Sequence, residues 1–497
     1  MTDVVVIGGG IAGLATAYEL SRRGISFLVL EAAPRAGGVI VSERVDEFTI
    51  DGGPDSLLVQ KPEAIALCRE IGLGDRLVST KPPRLAYVQR GGHLHALPAA
   101  SVFGIPTRIG PFLRTRLFTW AGKMRMGAEL FVPKRTDSAD ESIGSFMRRR
   151  FGSEATAYLA EPLMAGIHAG DVNRLSMQAL FPRLVEAERT HGSVLRAFRI
   201  NARLKPRAPW RSTEREASSK RSSGSLERQA SAERSESAFK SLPGGLSELV
   251  RALVHTIGES HVRIGTEITS IVGRGPFALW SGAVKVADAR VLVFATPAYA
   301  TADLLEDRDP DLARRCREIR YSSSVTVALG FKRDAVSHPL NGSGFVVPRG
   351  EKNGILAATW LSSKWPGRAP DDRVLMRAFA GGARDPWAID ESDAELIERS
   401  LDALRPVLGI AGEPLLTRVY RFDRASAQHD VGHLERAAAI DRALARHAGL
   451  FITGSGFRGV GIPDCIADGR RTAAQVAEWL RTQDTLRETT EIRRSSR

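Results

Sequence analysis

The feature that most constrains this chain is a glycine-rich turn near its N-terminus, between an apolar strand and a helix. The strand Val4–Ile7 leads into the glycine motif Gly8–Gly13. The apolar spacing that follows predicts a helix over Leu14–Arg23 and a second strand over Ser26–Glu31. A strand–helix–strand unit of this kind begins a doubly wound sheet with parallel strands. The sequence therefore predicts an α/β protein.

The glycine spacing matches the G-x-G-x-x-G fingerprint of dinucleotide-binding domains. Gly8 permits the tight turn, Gly10 lets the backbone approach a pyrophosphate, and Gly13 lets the helix pack on the strand. The free N–H groups at the helix start would bind the phosphates. Glu31 would accept hydrogen bonds from the ribose hydroxyls. A glycine-rich turn without a ligand is the alternative interpretation.

Two further segments favour FAD over NAD. Glu31 is followed by Arg35 and the pair Gly37-Gly38, and such further close approaches of the backbone suit a longer dinucleotide. Near the C-terminus, the glycine-rich stretch Gly454–Asp464 leads into an amphipathic helix predicted over Cys465–Leu480. The positive end of that helix would stabilise negative charge on the reduced flavin ring. A plain loop and helix is the alternative for this segment.

Composition and cysteine content narrow the class of protein. There is no apolar run of eighteen residues and no signal-like start, so we expect a cytoplasmic protein without a membrane-spanning helix. The three cysteines are far apart in the sequence, which predicts neither a disulfide framework nor a metal centre: Cys68, Cys316 and Cys465.

The net charge of +13 is concentrated in residues 108–135, 203–240 and 481–497. No nucleic-acid motif accompanies them, so we predict no nucleic-acid partner. The Ser/Arg/Glu-rich stretch 203–240 is predicted to be a disordered insertion, and 481–497 a flexible basic tail. Within 111–131, apolar residues recur at helical spacing with basic residues between them. This predicts a basic amphipathic helix that packs either on the protein core or on an anionic membrane.

A set of short motifs resembles the protoporphyrinogen oxidase family, within the amine oxidase/phytoene desaturase flavoprotein superfamily. The motifs are GGGIAGL at 8–14, EPLMAGIHAGD at 161–171, FKSLPGGL at 239–246, GFVVP at 344–348 and GVGIPDCI at 459–466. The resemblance covers residues 1 to about 480 apart from the insertion. It implies an FAD-dependent, O2-consuming removal of six electrons from protoporphyrinogen IX, with release of hydrogen peroxide, in haem biosynthesis.

The resemblance also implies where the ligands bind. Non-covalent FAD would contact the following residues: Gly8, Gly9, Gly10, Ile11, Ala12, Gly13, Glu31, Ala32, Arg35, Gly38, Val39, Gly53, Pro54, Asp55, Ser56, Val262, Ser455, Val460, Gly461 and Ile462. The substrate would contact Arg84, which would pair with a propionate, and a mostly apolar pocket: Gly166, Ala169, Gly170, Ala298, Tyr299 and Phe331. Asp55 is a candidate base, with a turn-capping role as the alternative.

The expected architecture has a Rossmann-like FAD-binding domain, a mixed-sheet substrate domain and an inserted helical, membrane-binding domain. The corresponding segments are 1–90, 241–290 and 430–480 for FAD, 91–202 for the helical domain and 291–429 for the substrate. Expected partners are the porphyrinogen and O2. Peripheral contact with the inner face of the cell membrane, hand-off of product to a chelatase and a homodimer are further predictions.

Three alternatives remain open on sequence grounds. One is a coproporphyrinogen III oxidase, a relative that tends to carry lysine at the position of Arg84. A related flavin amine oxidase and an FAD-binding protein without turnover are the others. The chain also departs from the family pattern, since Phe422 and His429 stand where the family often has tryptophan and tyrosine. His168 lies in the predicted pocket, where the family generally has another aromatic or polar residue, and an acid–base role for it is a weak hypothesis.

Overall fold

A computed structural model describes residues 2–98, 101–102, 105–106, 109–204 and 237–495. The strands are Thr2–Ile7, Phe27–Leu30, Ser42–Val45, Phe48–Asp51, Leu57–Leu58, Val78–Ser79, Tyr87–Arg90, His93–Ala96, Ser101–Val102, Ile105–Pro106, Phe239–Ser241, Val262–Arg263, Ser270–Val272, Phe277–Ser281, Val284–Phe294, Tyr321–Lys332, Gly344–Val346, Ala357–Thr359, Arg373–Gly381, Leu416–Ala427 and Leu450–Ile452. The α-helices are Ile11–Arg22, Glu63–Glu70, Ile109–Arg114, Trp120–Gly127, Ile143–Phe151, Ser153–Ala155, Glu161–His168, Met177–Leu180, Pro182–His191, Val194–Leu204, Ser247–Ile257, Ala298–Leu305, Pro310–Arg317, Leu361–Lys364, Asp393–Leu408, His433–Leu444 and Ile462–Ser495. Short 3-10 turns and one π-helical turn, Thr156–Ala160, join them.

The first sheet is built around the N-terminal strand, which is buried on both faces. Val4 and Val6 pack against one layer of helices, and Val5 and Ile7 against another, because side chains alternate along a strand. The strand order is Val262–Arg263, Phe27–Leu30, Thr2–Ile7, Val284–Phe294, Phe277–Ser281 and Ser270–Val272, with Leu450–Ile452 also paired to Val284–Phe294. The predicted α/β class is confirmed.

The second sheet is mixed and mainly antiparallel. Its order is Leu416–Ala427, Tyr321–Lys332, Arg373–Gly381, Ala357–Thr359, Gly344–Val346, Tyr87–Arg90 and His93–Ala96. The helix Asp393–Leu408 packs on one face through Leu396, Leu401 and Leu404. This helix begins with a capping box between Ser392 and Glu395, which satisfies free N–H groups at its start.

The helices between residues 109 and 204 surround a core of their own. Phe118, Phe146, Phe151 and Leu159 are among its buried side chains. None of the helices in the described part of the chain is long and apolar enough to span a bilayer.

Several predicted boundaries differ from the structure. The strand Val284–Phe294 runs through the boundary predicted at residue 291 and belongs to the first sheet. Tyr87–Arg90 lies in the second sheet, although 1–90 was expected to belong to the FAD-binding part. The predicted flexible tail is helical as far as Ser495, where threonine hydroxyls bond to the preceding turn and no helix breaker intervenes.

The predicted amphipathic helix over 111–131 is interrupted. Thr119 caps a new helix by accepting a hydrogen bond from the Gly122 N–H at 3.0 Å, so Ile109–Arg114 and Trp120–Gly127 are separate. Of the predicted apolar stripe, Leu117 is buried. Four other members are exposed: Leu113, Trp120, Met124 and Phe131. Core packing therefore accounts for only part of this stripe.

Most of the predicted insertion 203–240 lies outside the described residues. Its last residues are ordered differently from the prediction: Phe239–Ser241 forms a strand between Leu57–Leu58 and Val78–Ser79. This small sheet joins the end of the segment to the FAD-binding part of the chain.

Candidate active site

The glycine motif forms an open cradle at the start of the first helix. Gly8 has a φ of 107°, and a Cβ on Gly13 would collide with the Gly8 carbonyl oxygen, so both positions require glycine. A Cβ on Gly10 would meet no atom within 4 Å. The helix Ile11–Arg22 has no side-chain cap, which leaves N–H donors directed at this open space. A phosphate fits there.

Glu31 lies at the end of the neighbouring strand, as predicted. Its carboxylate accepts hydrogen bonds from the Gly9 N–H at 2.6 Å and the Ala33 N–H at 2.8 Å. Val262 pairs with Val29 on the next strand along, so its backbone is at the same end of the sheet. These positions are consistent with a ribose and an adenine ring beside the cradle.

Arg35 holds the second glycine pair in place. Its guanidinium donates to the Gly38 carbonyl at 2.7 Å and the Ile40 carbonyl at 3.2 Å. The Gly37 N–H donates to the Gly9 carbonyl at 2.8 Å, which brings this turn directly against the first motif. The contacts of Arg35 are thus with its own loop.

Gly53 lies where the two halves of the protein meet. A Cβ there would collide with the Val39 carbonyl oxygen and would come within 3.6 Å of the Phe422 ring. Val39, whose carbonyl oxygen faces Gly53, is 42% exposed although it is apolar. Phe422 reaches this place from the edge strand of the second sheet.

Asp55 is held in a buried charge network. Its carboxylate accepts from Lys364 Nζ at 2.9 and 3.0 Å and from Trp365 Nε1 at 3.2 Å, and it pairs with Arg377 at 3.2 Å. Burial alone would raise the pKa of Asp55, but the Lys364 ammonium and the Arg377 guanidinium outweigh it and hold that pKa well below its usual value. This arrangement argues against the base role predicted for Asp55.

The same network fixes the backbone beneath the site. Arg377 is 2% exposed and donates to the Gly53 carbonyl at 2.6 Å and to the Asp51 carbonyl. Arg368 pairs with Asp51 at 2.8 Å, and both side chains are fully buried. Hydrogen bonds and ion pairs from Arg377 and Arg368 therefore hold the loop around Gly53 against the second sheet.

The C-terminal helix begins at Ile462, and the glycine-rich stretch before it approaches the first motif, where a Cβ on Gly454 would lie 3.7 Å from the Ala12 side chain. Asp464 accepts a hydrogen bond from the Gly461 N–H at 3.3 Å and pairs with Lys61 at 2.6 Å. Cys465 is buried, and burial raises the pKa of its thiol to about 12. A neutral, buried thiol is unsuited to covalent attachment of a flavin.

The segment Gly166–Gly170 reaches the site from the helical region. A Cβ on Gly166 would lie 3.5 Å from Ala357 and 3.6 Å from Val346, both on the second sheet. Ala169 has a φ of 49° and ends the helix Glu161–His168. A Cβ on Gly170 would lie 2.7 Å from the Gln428 side chain, near the C-terminal part of the chain. Three regions therefore converge on this segment.

Two predicted substrate residues, Ala298 and Phe331, do not fit a pocket lining. Ala298 and Phe331 are fully buried, because each faces the core side of its own element. Arg84 lies on an exposed loop and donates to the Thr80 carbonyl at 3.3 Å. Tyr299 is partly exposed and stacks with Arg424 at 4.3 Å.

Sequence reasoning missed two groups of residues. Lys364 and Arg377 come from the second sheet region, and no local motif marks them. His429 and His433 stack with ring centroids 3.6 Å apart, and their Nε2 atoms bond to the carbonyls of Ser455 and Phe457. Burial lowers the pKa of both imidazoles. The departure of His429 from the family pattern and the spacing of four residues were the signals that could have found this pair.

The two-sheet fold and the glycine cradle define a dinucleotide-binding flavoprotein. The sequence profile described as flavin containing amine oxidoreductase matches residues 11–477, and the chain belongs to this family. Its cofactor is therefore FAD and it is an oxidoreductase. The residues of the cradle, Glu31 and the first turn of the C-terminal helix would hold the cofactor, which supplies an acceptor for hydride.

The relatives of the chain include named porphyrinogen oxidases. A coproporphyrinogen III oxidase of Bacillus subtilis (strain 168) is 34% identical over 485 residues, which cover 96% of this chain and 98% of the relative. A chloroplastic protoporphyrinogen oxidase of Oryza sativa subsp. japonica is 29% identical over 501 residues, covering 96% and 88%. A crystal structure from Exiguobacterium sp. 255-15, provisionally named a protoporphyrinogen oxidase, has a TM-score of 0.81 at 29% identity and covers 96% of this chain and 98% of that one.

Proposed function

We propose that this protein is an FAD-dependent porphyrinogen oxidase of haem biosynthesis. It removes six electrons from the macrocycle in three two-electron steps, and O2 is reduced to hydrogen peroxide. The observation that carries the proposal is the packing of Gly166–Gly170 against Ala357 and Val346 of the second sheet and against Gln428. The likeness to porphyrinogen oxidases over nearly the whole chain supports it.

The chemistry of the site agrees with this reaction. Glycine at positions 166 and 170 lets this segment pack closely on its neighbours, and Ile167 between them offers an apolar side chain that is 61% exposed to a flat macrocycle. Asp55 is neutralised by two cations, and His429 is kept neutral by burial, so these groups present no strong base to the substrate. The protein would bind and orient the porphyrinogen and exclude water, while the bound cofactor accepts the hydride.

The favoured substrate is coproporphyrinogen III. Two further relatives at 34% and 31% identity, from Propionibacterium freudenreichii and Staphylococcus aureus, carry the same name as the Bacillus relative. Protoporphyrinogen IX, the substrate favoured by the sequence, is the second candidate because Arg84 stands where coproporphyrinogen oxidases tend to have lysine. The cytoplasm is the proposed location. Transfer of the product to a chelatase stays a prediction, and so does the formation of a homodimer.

A comparison of the two porphyrinogens tests this assignment. We expect the FAD-loaded protein under air to form fluorescent coproporphyrin III with a kcat/KM at least tenfold above that for protoporphyrin IX formation. Arg84→Ala should raise KM more than it lowers kcat, because a propionate contact made equally in ground and transition states is lost. A preference for protoporphyrinogen IX would contradict the substrate assignment, and an unchanged KM would remove Arg84 from the site.

The exposed apolar residues of the helical region support a membrane-facing surface. Trp120, Met124 and Phe131 are 68%, 70% and 86% exposed, and Lys123 lies over the Trp120 ring at 4.5 Å. Lys123 itself is buried, but Arg114 and Arg116 of the same segment are exposed, and exposed aromatic and basic side chains together favour an anionic bilayer surface. We therefore keep peripheral contact with the inner face of the cell membrane as part of the proposal.

Vesicle sedimentation tests this surface. We expect the protein to bind phosphatidylglycerol vesicles and not phosphatidylcholine vesicles. The double variant Trp120→Ser/Phe131→Ser should bind at least ~10-fold more weakly, since two large apolar side chains no longer enter the bilayer. Trp387→Ser is the matched control, because Trp387 is 75% exposed on another part of the surface. Equal binding by all three proteins would contradict the proposal.

A further inference from the structure

His168 carries an imidazole with no hydrogen-bond partner among the residues that the structure describes. It is the last residue of the helix Glu161–His168, directly before the left-handed Ala169. Its Nδ1 atom is buried and unpartnered, whereas the side chain as a whole keeps some accessible surface. A buried polar atom without a partner is costly, and such atoms are often satisfied by a ligand.

His168 lies among other ionisable side chains near the start of the C-terminal helix. The ring interacts electrostatically with His429, Lys61 and Asp464, which flank the start of the C-terminal helix. The neighbouring Ile167 is 61% exposed although it is apolar. The segment that carries His168 lies between the second sheet, which Gly166 approaches, and Gln428, which Gly170 approaches.

The backbone acceptors beside His168 are already used. The His168 carbonyl accepts a hydrogen bond from Gln428 Nε2 at 2.9 Å, and the Ala169 carbonyl accepts one from the Ala383 N–H at 2.9 Å. Each of these carbonyls already accepts one hydrogen bond, whereas Nδ1 of the His168 imidazole has no partner among the described residues.

The imidazole is neutral near pH 7. Burial, together with the neighbouring His429 and Lys61, lowers the pKa of His168 to about 4. A neutral imidazole has one ring nitrogen with a free lone pair, so it accepts a hydrogen bond without acting as a strong base.

We propose that His168 accepts a hydrogen bond from a pyrrole N–H of the porphyrinogen, an inference that rests on the proposed function. In each step, a hydride with two electrons leaves a bridging methylene carbon of the macrocycle for FAD. The pyrrole becomes cationic, and one proton is then lost to solvent. Over the three steps two of these protons come from pyrrole N–H groups and one from the remaining methylene bridge, which leaves the four methine bridges and two N–H groups of the porphyrin. The hydrogen bond to His168 strengthens as this charge develops, so it stabilises the transition state more than the ground state.

Steady-state kinetics of the FAD-loaded protein test the role of His168. His168→Phe keeps an aromatic ring and removes the hydrogen-bond acceptor. His168→Leu also removes the acceptor and has a smaller side chain. We expect both to lower kcat and kcat/KM for coproporphyrinogen III about tenfold, with KM nearly unchanged. His168→Gln restores an acceptor and should stay within about threefold of the wild type. His255→Phe, on an exposed helix surface, is the control.

Two readouts separate this role from a structural one. Binding of coproporphyrin III, followed by its fluorescence, should change less than about threefold in all variants, and the visible flavin spectrum should stay that of the wild type. Wild-type kcat in both His168→Phe and His168→Leu, or a loss in His168→Gln equal to theirs, would overturn the inference. A wild-type protein that oxidises neither porphyrinogen would instead overturn the proposed function.

Discussion

Gly10→Val should abolish FAD binding while leaving the fold intact. Gly10 has φ −68° and ψ 175°, a conformation that valine adopts easily, and a Cβ there meets no protein atom within 4 Å. The added side chain would occupy the space in front of the first N–H groups of the helix, where the pyrophosphate binds. We expect the affinity for FAD to fall at least ~100-fold, or by about 2.7 kcal/mol.

Flavin titration measures the affinity for FAD, and urea unfolding of the apoprotein measures the stability of the fold. The unfolding midpoint of Gly10→Val apoprotein should match that of wild-type apoprotein. Gly127→Ala is the matched control, since a Cβ there also meets no atom within 4 Å but lies far from the cradle in sequence and on a different helix. Retention of FAD by Gly10→Val would contradict the placement of the cofactor.

Asp55→Asn should destabilise the protein strongly and affect catalysis weakly. The substitution leaves the cations of Lys364 and Arg377 without their shared carboxylate, and their side chains are only 13% and 2% exposed. Breaking a buried ion pair from one side costs about 3–5 kcal/mol of the free energy of unfolding. With FAD saturating, kcat should stay within about threefold of the wild type, whereas loss of a true base would cost about 100-fold or more.

The pH dependence of this effect has a definite sign. The pKa of Asp55 is lower in the folded protein than its unfolded value of about 3.9. The stabilisation is therefore complete above that value and is lost as the pH falls through the folded pKa. The difference in unfolding free energy between wild type and Asp55→Asn should be constant above about pH 5 and shrink below about pH 4.

Urea unfolding with saturating FAD measures the stability, and Asp402→Asn on an exposed helix surface is the control. A stable Asp55→Asn protein that binds FAD normally but has lost its activity would restore the base hypothesis.

The predictions that failed at the site share one cause. Phe331 lies on a strand of the second sheet, where successive side chains point to opposite faces. The sequence shows the alternation but not which face meets the substrate, and the structure turns Phe331 into the core. Ala298 is buried in the same way beneath Tyr321, whose hydroxyl accepts a hydrogen bond from the Ala298 N–H at 2.9 Å. Exposure at such positions depends on packing partners far away in the chain.

The glycine motif and the C-terminal helix start were predictable for the opposite reason. Their geometry is decided by contiguous residues, since a φ of 107° at Gly8 and the close contact at Gly13 permit little besides glycine. At these two places the residues that form the sequence pattern are therefore the same residues that set the local geometry.

The sequence by itself determined the α/β class, the glycine turn Gly8–Gly13 and the family resemblance. Only the tertiary structure decided that Asp55 is locked by Lys364 and Arg377, that Phe331 is buried, and that His168 keeps an unused acceptor. The physical reason is the distance along the chain between the residues that determine each feature. A turn is specified by the steric limits of neighbouring residues, whereas burial, ion pairing and pKa are set by side chains that only sheet register and packing bring together.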